Sequence, residues 1–408
     1  MARRLGIWGT LAALALVGAG CFGGEPTSDE PLTIGLLLDF SGSPDASADR
    51  QRGFDLAIAQ VNELGGVLGH PVRSVALDAS GDVSAALEAA RRLVEEEGVH
   101  AIVGPNSSAA SLPTVETVTG PAQIPTISPS ATAPVLAQAV DDDFFFRTTL
   151  ADSAQGPVLA RVAKERGFTN VGVSYRNDPY GRGLAETFAA AWDGGIVSVS
   201  MHTELTSYRR ELEQTAGQGA EALVVIDFAS AAIAIVKEAI ESGLYDQFVF
   251  ADAVRRPRVV EEVGGEHLGG MYGTSGAPPP SNEAGHAWDR AFEERYGQAP
   301  QVPYVKETYD AALAIMLAAQ AAGSVEGAAI RDQLRVVADA PGALVHATPD
   351  GVAEALRLVR EGKDINLEGA GGTLEWDDNG DLRRGHISIW RFTADGRIED
   401  VEVVEVGY

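Results

Sequence analysis

Leu32-Thr-Ile-Gly-Leu-Leu-Leu38 is the stretch from which the fold is read. It is short, rich in β-formers and almost continuously apolar, and a helical pattern follows it around Gly53 to Leu64. The same couplet recurs along the chain. Val72 to Leu77 precedes Val83 to Val94, and Ala101-Ile-Val103 precedes the stretch after Asn106. Asn170-Val-Gly-Val-Ser174, Ile196 to Met201, Ala222-Leu-Val-Val-Ile226 and Phe248-Val-Phe250 each lead into a helical segment. Strands that are apolar on both faces and separated by helices belong to parallel sheets covered on both sides. Right-handed βαβ winding is the expected topology. The fold class is α/β.

No clean linker divides the chain. Pro278-Pro-Pro280 is the sharpest break, followed by a helix-rich block from Asn282 to Gly323 and a helical pattern over Val352 to Glu361. The tail turns to β-like alternation at Thr373-Leu-Glu-Trp376, a turn at Asp377-Asp-Asn-Gly380, and His386-Ile-Ser-Ile-Trp390. Such an ending is expected to return and pack on earlier elements.

The chain has 408 residues, which at about 150 residues per domain suggests two or three domains. With 45% hydrophobic and 22% charged residues it can bury a large core. One cysteine excludes an intrachain disulfide framework, a multi-cysteine zinc module and a cysteine-ligated iron–sulfur cluster. Lys+Arg 31 against Asp+Glu 58 gives a net charge of −27, which repels phosphate backbones, and no basic stripe offsets it. Nucleic acid is not an expected partner.

The single cysteine follows an export signal. Arg3-Arg4, the apolar run Leu5 to Ala19 and Gly20 supply the basic, hydrophobic and small-residue parts. The run is shorter than the roughly 20 residues of a membrane span. Cys21 after small residues resembles the lipobox of bacterial lipoproteins, with Gly18 where that pattern prefers Leu. On this reading residues 1–20 are a signal peptide, Cys21 is the lipidated first residue, and 21–31 is a tether. An ordinary cleaved signal with an incidental cysteine is the alternative. Removing residues 1–20 takes two arginines and no acid, leaving −29.

In open α/β sheets, ligands bind beyond the carboxyl ends of strands. Four such places carry suitable residues. After Ala101-Ile-Val103, Gly104-Pro-Asn-Ser-Ser108 opens a helix; Asn106 or Ser107 can cap it, leaving Ser108 and nearby N–H groups for an anion. The loop Ile127-Ser-Pro-Ser130-Ala-Thr132-Ala-Pro134 presents Ser130 and Thr132 on one side if extended. Asn177-Asp178-Pro179-Tyr180 starts a helix directly after a strand, with Asp178 as cap and Tyr180 facing the strand ends. Asp252 follows the strand Phe248-Val-Phe250, where a carboxylate can pair with an ammonium group. Each has an ordinary structural explanation: caps, a plain loop, a ring packed under a helix, a solvated aspartate. Together, hydroxyls and a helix terminus for a carboxylate and an acid for an ammonium describe a zwitterion site, walled by Tyr180 and Phe228.

These stretches resemble the leucine/isoleucine/valine-binding proteins, type I periplasmic binding proteins of ABC importers. The resemblance runs over essentially the whole mature chain. It is carried by Phe40-Ser-Gly42, Gly53-Phe-Asp-Leu-Ala-Ile-Ala-Gln-Val-Asn62, Val103-Gly104 with Ser107-Ser108, and Ser130-Ala-Thr-Ala-Pro134. Phe146-Arg-Thr-Thr149, Asp152-Ser153 with Gln155-Gly156, Tyr180-Gly181 with Gly183-Leu184, and Trp376-Asp377 with Gly380-Asp381 continue it in order.

The resemblance implies two Rossmann-like lobes with parallel sheets, joined by a three-crossing hinge and closing on a ligand. Lobe 1 would comprise residues 32–150 and 276–380, and lobe 2 residues 151–275 and 381–408. By position, Ser108, Ser130 and Thr132 would hold the α-carboxylate and share the α-ammonium. From lobe 2, Tyr180 would touch the ligand, Asp252 would replace the family's glutamate, and Phe228 stands where a tyrosine is common. The family's disulfide has no counterpart at Asp78–Ser80 or Asn106–Ser107. An aromatic that lines the side-chain pocket of branched-chain binders is Ala46 here, placed on a Ser41–Asp49 loop.

The implied function is an extracytoplasmic, lipid-anchored solute-binding subunit, monomeric and without cofactor or metal. It would capture an amino acid, branched-chain by default, for the membrane permease of an ABC transporter. Alternatives are another small amide, urea or carboxylate ligand, or a sensor feeding a receptor. For an enzyme, the chain lacks a Gly-x-Ser-x-Gly elbow. Gly181 and Gly183 lack the third glycine of a dinucleotide fingerprint, and His202, His267, His286, His346 and His386 lie in unremarkable contexts.

Overall fold

The computed structural model describes residues 30–202, 205–280 and 283–407. The expected signal peptide, Cys21, the tether up to residue 29 and Asn282 lie outside the described residues. The opening run forms β1 (Thr33–Leu38), buried on both faces over its last five residues, as befits a strand inside a covered sheet. It is flanked by β2 (Arg73–Asp78) and β3 (Ala101–Val103), and β4 (Thr126–Ser128) and β5 (Phe145–Arg147) complete the sheet. The order is β2-β1-β3-β4-β5, parallel throughout.

A second sheet is built from β6 (Asn170–Arg176), β7 (Gly195–Met201), β8 (Ala222–Ile226), β9 (Phe248–Phe250) and β10 (Tyr272–Ala277). Residues 283–360 then return to the first lobe as helices, with a small parallel pair, β11 (Ala343–His346) and β12 (Ile365–Glu368). The chain ends with β13 (Arg384–Phe392) and β14 (Ile398–Gly407) back on the second sheet, whose order is β14-β13-β10-β9-β8-β6-β7. The architecture is two α/β lobes linked by three crossings.

Two expectations need correcting. The second sheet is mixed, because β13 pairs antiparallel with both β10 and β14. A hairpin connection as short as Thr393–Arg397 can join only antiparallel strands. The Thr373–Trp376 stretch forms isolated bridges (Glu368 with Thr373, Trp376 with Leu382) and no strand.

The first helix also begins earlier than its apolar periodicity suggests. It spans Pro44–Glu63, with Pro44 in the first turn, where its missing N–H costs nothing. Ala46 therefore sits on that helix and not on a loop. The helix packs against the buried helix Val305–Ala322 so closely that a Cβ on Gly53 would stand 2.4 Å from the Val305 carbonyl oxygen.

The hinge is braced by residues of two separated motifs. Arg147 at the end of β5 is fully buried, and its Nε donates to Asp381 Oδ1 at 2.6 Å. Its Nη1 donates to the carbonyls of Ala131 and Ala133 at 3.2 and 3.1 Å, fixing the loop after β4. Trp376 Nε1 donates to the Arg147 carbonyl at 2.6 Å, and its ring meets Phe146 edge-on at 5.3 Å.

A candidate ligand cleft between the lobes

The carboxyl ends of β1, β3 and β4 face those of β6, β8 and β9 across a cavity of about 610 Å³. That volume is within the size range of small-molecule sites. Ser108, Ser130, Tyr180, Phe228 and Asp252 all line it. Thr132 does not. Its side chain is buried behind the wall, where Oγ1 donates to Asp152 Oδ2 at 3.0 Å. Alternation puts Ser130 and Thr132 on one side only in a straight strand. Here Ser128 Oγ turns the loop by donating to the Pro105 carbonyl and accepting from the Ala131 N–H.

On the first lobe, Ser107 caps the helix Ser108–Thr114 by accepting from the Ala110 N–H. Asn106 instead accepts from the Asp39 N–H at 2.9 Å. The N–H groups of Ser108 and Ala109 meet no acceptor among the described residues, as expected of a helix start open to a ligand. Ser108 Oγ accepts from the Ala133 N–H at 3.1 Å, which leaves its hydroxyl hydrogen to donate. Ser130 Oγ donates to the Asn106 carbonyl at 2.9 Å. The Ser108 hydroxyl and the free N–H groups at one helix start are suited to a carboxylate, and Ser130, whose hydrogen goes to Asn106, keeps lone pairs that can accept from an ammonium.

On the second lobe, Asp178 caps the helix Pro179–Ala191 and places Tyr180 at its first turn. Tyr180 stacks on Phe228 with ring centroids 5.7 Å apart. Tyr180 Oη donates to Asp252 Oδ1 at 2.7 Å. From the other side Tyr304 Oη donates to Asp252 Oδ2 at 2.7 Å. Burial, and then the Asp252 charge, push both phenols well above their usual range, so both remain donors. Gln155 Nε2 also donates to Oδ1, at 3.4 Å, so Oδ2 is the oxygen that keeps a second lone pair for an ammonium. Below the floor, burial and then the Asp252 charge raise Asp152 well above its usual value.

Three cavity residues escape a reading of the sequence. Tyr304 holds a left-handed backbone, φ +73, at the N-cap of Val305–Ala322, a conformation that no local motif announces. Arg50 lies one helical turn after Ala46 and shares its face, but Asp49-Arg50-Gln51-Arg52 reads as a solvated charge run. Arg256 stands four residues after Asp252; the adjacent pair Arg255-Arg256 was the visible signal.

A family model described as periplasmic binding protein matches residues 31–355. A chemotactic signal transduction system substrate-binding protein, BasB, of Halobacterium salinarum is 28% identical over 93% of this chain and 91% of its own length. A leucine-, isoleucine-, valine-, threonine- and alanine-binding protein of Pseudomonas aeruginosa is 24% identical over 96% of this chain and 97% of its own. Among solved structures, the branched-chain amino acid transporter substrate-binding protein LivJ of Streptococcus pneumoniae, in complex with isoleucine, is similar with a TM-score of 0.77. It shares 24% identity over 92% of this chain and 100% of its own. A solute-binding protein of an R. palustris ABC transporter, in complex with benzoate, has a TM-score of 0.75 and 16% identity, covering 93% and 98%. The last two show likeness of fold.

Proposed function

The chain belongs to the periplasmic binding protein family, and we propose that it captures an α-amino acid between its two lobes for delivery to an ABC permease. The observation that carries this is the division of the cleft. Ser108, Ser130 and free helix-start N–H groups lie on one lobe, and the Asp252 carboxylate, set by Tyr180, lies on the other. A zwitterion touches both at once, so its binding energy favours the closed arrangement. Phe228 and Tyr180 form the apolar wall. Thr132 acts from behind, through Asp152 and the hinge.

The family places the protein outside the cytoplasm. In our reading it works as a monomer, tethered by a lipid on Cys21 after removal of residues 1–20, with residues 21–31 as spacer. Lobe 1 is 32–150 with 276–380, and lobe 2 is 151–275 with 381–408. Mass spectrometry of the native N-terminus tests the anchor: a diacylated Cys21 is expected, and an unmodified N-terminus would remove it. The branched-chain label borne by relatives is the default for the side chain, and Ala46, which supplies no ring to an aliphatic pocket, is the departure from it. The Halobacterium relative favours a second reading of the same cleft, as the ligand sensor of a chemotaxis receptor.

Thermal melting with each of the twenty amino acids tests the function. A ligand at a hundred times its Kd stabilises by about 2.7 kcal/mol, enough to read as a clear upward shift. A panel without any shift would sink the zwitterion reading.

A further inference from the structure

Arg50 and Arg256 reach into the cleft from opposite lobes, and neither is ion-paired. Arg50 is 4% exposed, on the Pro44–Glu63 helix, and Arg256 is half-buried at the start of the helix Pro257–Val263. No carboxylate oxygen of the described residues lies within 4.0 Å of either guanidinium. The contacts they do make are weak or few. Arg50 Nε donates to the Pro303 carbonyl at 3.4 Å, and its guanidinium lies 5.4 Å from the centre of the Tyr304 ring. Arg256 Nη1 donates to the Arg255 carbonyl at 3.0 Å.

This is exceptional within the molecule. Every other buried or half-buried arginine among the described residues has a carboxylate partner, as Arg147 has Asp381 and Arg176 has Asp178. In a chain with 58 acids, two unpaired arginines in one cavity are not explained by a shortage of partners. Withdrawing a guanidinium from water without a partner is costly, and two facing one another repel as well. Burial first, and then Arg256, lower the Arg50 guanidinium to about 10. Acids do stand nearby, but beyond ion-pair distance. Asp252 and Glu307 act on Arg50 through space, as does Asp39, and Asp45 lines the same cavity. Asp178 caps a helix and pairs with Arg176, and Asp82 caps another helix.

From these observations we infer that the ligand carries a second carboxylate, held between Arg50 and Arg256, so that the cleft takes an acidic α-amino acid. The inference rests on the zwitterion reading of the cleft. The α-carboxylate and α-ammonium are already provided for by Ser108 with the helix-start N–H groups and by Asp252, and a neutral side chain would leave both arginines unmatched. Ala46 and Arg50 line the same cavity one helical turn apart, and Ala46 brings no ring to it. Because the arginines come from different lobes, the side-chain carboxylate would also draw the lobes together, where without it their charges oppose closure.

Titration calorimetry of the unsubstituted chain with L-glutamate, L-aspartate, L-glutamine, L-leucine and benzoate tests this. Glutamine has the shape of glutamate without the charge, so the comparison needs no variant to fold. The expected result is an acidic amino acid bound at least tenfold more tightly than glutamine or leucine. In Arg50→Met, affinity for that acid falls by about tenfold to a hundredfold, the range for a lost charge-assisted bond, and glutamine binding changes little. Glutamine or leucine bound as tightly as the acids would overturn the acidic class and leave the amino-acid reading standing. None of the five bound would overturn the acidic class, and benzoate bound with no amino acid of the melting panel active would overturn both.

Discussion

Replacing Asp252 by Asn tests the cleft at the residue on which both lobes converge. Asp252 is 3% exposed and accepts one phenolic hydrogen bond on each oxygen, both at 2.7 Å. Asn keeps the shape and removes the charge. One phenol still finds an acceptor, and the other faces an NH2 group and is left an unsatisfied buried donor, at a cost of about 1–3 kcal/mol. The unliganded protein should therefore melt a few degrees lower. Binding loses more specifically: an ammonium exchanges a charge-assisted bond for a neutral one, worth about 1.5–3 kcal/mol. At about 1.4 kcal/mol per factor of ten, affinity should fall roughly tenfold to 150-fold. Calorimetry with the best amino acid from the melting panel measures this, and circular dichroism verifies the fold. An affinity within threefold of the original, in a folded variant, would show that the ammonium lies elsewhere.

Other perturbations separate hinge, closure and burial. A Cβ on Gly183 would stand 2.6 Å from Pro134 Cδ on the facing lobe. Gly183→Leu should thus hold the lobes apart and weaken binding tenfold or more without lowering the melting temperature of the unliganded chain. Unchanged affinity would mean the lobes need not approach there. Arg147→Met strands Asp381 in the hinge and should cost about 3–5 kcal/mol by denaturant titration; a loss below about 1 kcal/mol would reduce that pair to a surface contact. Burial pushes Asp227 up to about 7 against the pull of Arg176. The native carboxyl keeps its proton up to that pH while the unfolded one releases it near 3.8, so this group's stability contribution falls as pH rises between the two. Asp227→Asn should raise the melting temperature at pH 8.5 and give a smaller or reversed difference at pH 4.5. A difference independent of pH would refute the assignment.

Much of this architecture is legible wherever local physics decides it. Ala222–Ile226 and Phe248–Phe250 are apolar on every residue and form strands over those same residues. Val83 begins a helix because Asp82 caps it through the Ser84 and Ala85 N–H groups. β4 and β5 are three-residue strands too short to carry a periodicity; their place comes from the pairing of β4 with β3 and of β5 with β4. β14 alternates valine with acid on an exposed edge, and so reads as a charged tail.

The cleft divides in the same way. Residues immediately after strands (Ser108, Ser130, Asp252) can be found because strand ends are where such folds bind ligands. Arg50 and Tyr304 reach the cavity through tertiary packing. One lies inside a helix that looks solvated, and the other depends on a backbone turn of positive φ. Thr132 lies behind the wall because the loop bends between it and Ser130, which local alternation does not show. Reading Arg147 with Asp381, 234 residues apart, requires the fold itself, although both belong to stretches of recognisable sequence.

The most direct test of the account is a crystal structure of the mature chain with the amino acid that stabilises it most. The account predicts one ligand between the lobes, its α-carboxylate on Ser108 and the adjacent N–H groups, and its ammonium on Asp252. A ligand bound outside this cleft, or one whose ammonium makes no contact with Asp252, would contradict it.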